Sequence, residues 1–154
     1  GGEGDRIEQG VKMKLILYWA GKERLFDLPP NKGFEEALKL LSLLQEKGIS
    51  VEIINTNKLP EEKLQITYEK ACKVAIWKHI GIRRVFGTKR RGGGLFFGKE
   101  VPALLVYEGE GEYPSDVYPH REPGKGPLIT IRDFLKKKLL RESELATGIE
   151  IKEE

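Results

Sequence analysis

Apolar and polar positions divide this chain into blocks of different period. Residues 13–20 (MKLILYWA) are almost continuously apolar, which predicts a central strand buried on both faces. Residues 21–32 are polar and broken by Pro29–Pro30, so they read as a loop. From 33 to 47 the period turns helical, with Phe34, Ala37, Leu38, Leu41 and Leu44 on one face and Leu40 and Leu43 widening it. Gly48 stands where a left-handed residue ends a helix. A short β-branched strand follows at 50–56 (SVEIINT), and strand, helix and strand with a tight return predict a right-handed parallel unit.

Pro60 suits the first turn of a second helix, with Glu61 and Glu62 on its positive dipole end. Leu64, Tyr68, Ala71 and Ala75 fall on one line, with Cys72, Ile76 and Ile80 beside them, and Gly81 is expected to close the helix. Residues 81–99 are irregular, basic and rich in glycine. Pro102 then opens a buried strand (ALLVY), because proline can head a strand but cannot donate from its middle. The Val101–Pro102 bond is a candidate cis bond and site wall. The turn 108–112 (EGEGE) leads to a weaker strand around 113–118. Thr130 with Asp133 forms an N-cap signature before Ile131, Phe134, Leu135 and Leu139. Domain limits follow: an arm at 1–12, one domain at 13–140, and a polar tail at 141–154 that is disordered or adds an edge strand at 148–152.

Composition narrows the class. At 39% hydrophobic and 33% charged residues the chain reads as a soluble globular protein, with no run long enough for a membrane helix. No basic segment followed by an apolar core opens it, so no signal peptide is expected and a cytoplasmic location is the default. Cys72 is the single cysteine, which excludes an internal disulfide and a thiolate metal cluster. A net charge of +3, from 27 basic and 24 acidic residues, does not by itself call for nucleic acid. Abundant Glu and Lys with scarce Asn and Gln is the bias of thermophile proteins.

The order βαβ–α–ββα, with a proline heading the closing hairpin, resembles the thioredoxin-like fold over roughly residues 13–140. Trp19, Ala20, Gly21, Lys22 and Glu23 lie where that family carries Trp-Cys-Gly-Pro-Cys, and Val101–Pro102 is similar to its cis-proline. The resemblance implies a three-layer α/β/α sandwich around a mixed sheet of four to five strands. Ala20 and Glu23 take both cysteine positions, so dithiol–disulfide exchange has neither attacking nor resolving thiol.

Candidate chemistry is sparse. Trp19, Lys22, Glu23 and Arg24 would sit in the loop after the first strand, which in the family faces the proline loop, so Trp19 and Val101–Pro102 would line one groove; the competing reading is that Trp19 packs under the loop. Such a groove suits an extended peptide paired to the backbone of Val101. Arg83, Arg84, Lys89, Arg90 and Arg91 surround Gly92–Gly93–Gly94, with Phe86, Phe96 and Phe97 interleaved. Glycine amides and arginines suit an anion, and aromatics suit bases, while the competing reading is a solvated surface hairpin. Cys72 shares a helix face with Ile76 and Ile80 and is expected to be buried. Neither His79 nor His120 has metal-ligand spacing, and both read as structural or surface residues. No cofactor is expected. The leading expectation is a redox-inactive binding or adaptor module, not an enzyme, for a protein segment or other anionic partner. A nucleic-acid-binding module using residues 83–97 and a single-cysteine enzyme are the alternatives.

Overall fold

The structure, a computed structural model, describes residues 13–19, 33–82 and 102–147. Strand β1 (Met13–Trp19) carries Leu15, Ile16, Leu17 and Tyr18 in succession, all buried. Side chains alternate across a strand. Leu15 and Leu17 therefore enter one core with helix α1 (Phe34–Glu46), while Ile16 and Tyr18 enter a second with helix α2 (Glu61–Lys78). The continuous apolar run is thus a strand buried on both faces, as its pattern predicts.

Strand β2 (Ser50–Asn55) pairs in parallel with β1, from Lys14 opposite Ser50 to Trp19 opposite Asn55. Strand β3 (Ala103–Glu108) lies antiparallel on the other side, with Tyr18 opposite Ala103 and Met13 opposite Glu108. Strand β4 (Asp116–Tyr118) pairs antiparallel with β3 and completes a four-stranded mixed sheet of order β2-β1-β3-β4. Leu104 and Val106 point to the α1 side, and Ala103 and Leu105 to the α2 side. The short strands β5 (His120–Arg121) and β6 (Leu128–Ile129) form a separate ribbon before helix α3 (Ile131–Thr147). Ile131 and Leu135 of α3 join α1 in the first core, so helices cover both faces of the sheet.

Helix ends follow local chemistry. The Thr130 hydroxyl accepts from the Asp133 amide at 3.0 Å, and the Asp133 carboxylate accepts from the Thr130 amide at 3.2 Å. This reciprocal pair is the capping box the sequence signals. Gly48, at φ +96, follows α1; its amide donates to the Gln45 carbonyl, and that of Ile49 donates to Leu44. Helix α2 repeats this arrangement with a histidine. His79, not Gly81, takes the left-handed position at φ 58, and the Ile80 amide donates to Ala75 at 3.0 Å. Gly81 is held elsewhere, exchanging hydrogen bonds of 3.0 and 2.8 Å with the backbone of Arg121. Its pairing partner lies 40 positions downstream, beyond the reach of a local signal.

Two further boundaries and one burial differ from the pattern. Strand β4 begins at Asp116, and Tyr113 lies before it in a bend, its ring tilted against Trp77. Helix α3 continues past Leu140 to Thr147, supported by a Lys138–Glu142 ion pair of 3.0 Å one turn apart. Cys72 is half-buried, since Ile76 on the same side of α2 remains 69% exposed. Residues 1–12 and 148–152 lie outside the described residues. No helix among the described residues is long and apolar enough to cross a membrane.

Candidate binding site

Parallel pairing brings the last residues of β1 and β2, Trp19 and Asn55, to one end of the sheet. Antiparallel pairing brings the first residue of β3 to the same end, and Pro102 precedes it, buried. Helix α1 starts here too. The Trp19 ring stacks on Phe34 in its first turn, with centroids 4.5 Å apart and planes 28° apart. Open α/β sheets place their sites at the carboxyl ends of parallel strands, and this is that end.

Gly33 precedes α1 at φ +90. A Cβ there would sit 2.6 Å from Arg132 Nη1, so the missing side chain is what lets the guanidinium approach the backbone. Arg132 bonds Glu36 at 3.2 Å, and Lys136 reaches the other oxygen of the same carboxylate at 3.3 Å. An ion-pair network between α3 and Glu36 of α1 therefore stands beside the start of α1, where Phe34 stacks on Trp19.

Of the residues singled out from sequence, Trp19 and Pro102 are brought to this one end. Trp19 is half-buried, packed against the first core. Lys22, Arg24, Arg83, Arg84, Lys89, Arg90, Arg91 and Val101 lie outside the described residues, and so does the Val101–Pro102 bond. The cis peptide among the described residues is Tyr118–Pro119.

Sequence reasoning missed Arg132, whose helix position gave no sign of Gly33. It also missed a polar cluster beside β4. There the Tyr118 hydroxyl donates to Asp116 Oδ2 at 2.9 Å, and Lys78 reaches the same oxygen at 3.5 Å. His120, 2% exposed, places Nδ1 2.6 Å from the Val117 carbonyl and Nε2 2.6 Å from Glu122. A carbonyl only accepts, so Nδ1 carries a proton and the Glu122 contact holds the other nitrogen. Every second residue from Asp116 to Glu122 is polar, a period-two signal that Pro119 interrupts. With its ring 4.7 Å from Tyr118 and both nitrogens engaged, His120 serves packing. Burial, and then Asp116, push the Tyr118 phenol well above its ordinary value. Burial, and then Tyr107, raise Tyr18 to about 12, with a hydrogen bond to Thr67 acting the other way.

Cys72 lies on α2 in a shallow groove of about 540 Å³ that Ala75, Ile76, His79, Ile80, Gly81 and Ile82 also line. Compared with protein-family models, curated proteins and solved structures, the chain gives no match.

Proposed function

We propose that the chain is a thioredoxin-like domain without redox chemistry that binds a polypeptide segment at the Trp19–Pro102 end of its sheet. The observation that carries this reading is the meeting of Trp19, Phe34, Pro102 and Arg132 where β1 ends and α1 begins. The strand order β2-β1-β3-β4, with a proline heading the antiparallel β3 and helices on both faces, supports the fold assignment. Ala20 and Glu23 supply no thiol at the positions that would need one, and Cys72 sits on α2 instead. An aromatic pair beside a buried proline offers apolar contact to an extended segment, and Arg132, ion-paired with Glu36, fixes the start of α1 beside it.

Thiol chemistry and binding are separated by one assay. The expected result is that the protein leaves the rate of insulin reduction by dithiothreitol unchanged and that Cys72→Ser behaves identically. Catalysis that disappears with Cys72 would overturn the proposal.

A further inference from the structure

The four-stranded sheet has two edges, β4 and β2, and they are finished differently. An edge strand carries backbone groups that can pair with another chain, and folded proteins ordinarily blunt it. Strand β4 is only three residues long and is followed by Pro119, which has no amide to donate. At Val117, its middle residue, side chains take both backbone groups. The amide donates to Asp116 Oδ1 at 3.1 Å, and the carbonyl accepts from His120 Nδ1 at 2.6 Å. Neither group is left for a further strand. Lys78 Nζ donates to the carbonyl of Ser115, just before the strand, at 3.0 Å. His120 thus also seals this edge.

Strand β2 has none of these devices. It runs for six residues, Ser50–Asn55, without proline, glycine or lysine. One side of it pairs with β1 along its whole length, which leaves the other as the sheet's margin. Among the described residues no side chain bonds an N–H or C=O of residues 50–54. Glu52, its one charged residue, lies 3.7 Å from Lys14 of β1 in the same chain. Val51 packs against the first core, so Ile53 lies on the α1 side too, and it is 45% exposed. The longer, β-branched edge is the open one.

We propose that β2 pairs antiparallel with β2 of a second copy of this chain, about a twofold axis at Ile53, and joins the two four-stranded sheets into one. The pattern of the strand selects both occupant and register. A twofold axis normal to the sheet keeps the α1 side of both copies on one face, so residues standing opposite each other share parity. Centred on Ile53, that residue meets its own copy, Val51 meets Asn55, and Glu52 meets Ile54. Centred on Glu52, two carboxylates would stand opposite each other, which is destabilising. The strand is therefore self-complementary in one register, as a twofold contact requires. Because β4 is sealed, each copy has one open edge, and pairing closes at two copies instead of growing into a fibre. Antiparallel pairing sets the two Trp19 ends at opposite ends of the joined sheet, so this surface stands independently of the binding site proposed above.

The test uses the full chain. Sedimentation velocity across a wide range of concentration reads the assembly, and amide hydrogen exchange reads the edge. A mass of two chains that falls to one on dilution is expected, with β2 amides better protected at high concentration. Ile53→Lys sets two like charges opposite each other at the axis and should raise the dissociation constant about tenfold or more. Ile53 is well exposed, so this variant keeps the wild-type circular dichroism. The register has its own readout. In a Cys72→Ser background, Ile53→Cys should cross-link rapidly under mild oxidation, because opposite residues hold their Cβ atoms about 4.5–5.5 Å apart. Lys39→Cys, on the exposed side of α1, should not. Four results would overturn the proposal. They are a one-chain mass at every concentration, even if an added extended peptide protects the β2 amides; a dimer that Ile53→Lys leaves as tight; cross-linking of Ile53→Cys no faster than that of Lys39→Cys; or assemblies that grow beyond two copies.

Discussion

Removing one hydroxyl, in Tyr18→Phe, should change the sign of its effect with pH. Tyr18 is 6% exposed in the middle of the sheet, opposite Ala103 and Ile54, and its hydroxyl bonds Thr67 on α2. Near neutral pH the variant loses that bond but keeps the ring, a cost of about 1 kcal/mol. In alkali the wild type bears a penalty that phenylalanine cannot have. Its folded pKa of about 12 lies above the ordinary 10.0, so the neutral phenol stabilises the fold below pH 10, and this contribution is lost as pH rises toward 12. Each unit of that gap is worth about 1.4 kcal/mol, which makes the full loss roughly 3 kcal/mol. The curves of wild type and variant should therefore cross at about pH 11. Urea unfolding followed by circular dichroism, across neutral to alkaline pH, measures both. Other titrating groups are common to the two proteins, so the difference reports Tyr18 together with its coupling to Tyr107. A difference that stays constant with pH would refute the buried, raised phenol.

Two further changes test the ends of the helices. Thr130→Ala removes the hydroxyl that accepts from Asp133 and should cost about 1 kcal/mol, lowering Tm by about 2–4 °C; an unchanged melting curve would show the cap to be idle. Gly33→Ala forces a side chain into φ +90 and against Arg132, so a loss of roughly 1–2 kcal/mol in urea unfolding is expected. Neutral or stabilising behaviour of that variant would mean that α1 starts differently.

The sheet and its helices were legible because period and punctuation coincide. The run from Leu15 to Tyr18 fills two cores, and the α1 stripe of Ala37, Leu41 and Leu44 is buried as its spacing requires. Thr130 and Asp133 act as their spacing implies. What failed were decisions taken by distant residues. Gly81 looks like a helix stop, but its pairing with Arg121 leaves the left-handed position to His79. Tyr113 has strand character, yet it lies in a bend with its ring against the distant Trp77. At the candidate site, Trp19 and Pro102 could be brought together by the order of elements alone. Arg132 could not, because only the packing of α3 on α1 sets it against Gly33. The alternation Asp116, Tyr118, His120, Glu122 was visible but crosses a proline, and nothing in the sequence says that the chain folds back there to bury His120.

The most direct measurement is to select a peptide that binds the full chain from a random displayed library and map it by amide chemical-shift perturbation. If the sheet end is the binding site, the largest shifts fall on Trp19, Phe34, Ala103 and Arg132, and Trp19→Ala weakens the complex about tenfold or more. Selected peptides whose shifts leave Trp19, Phe34 and Ala103 unmoved would contradict that assignment.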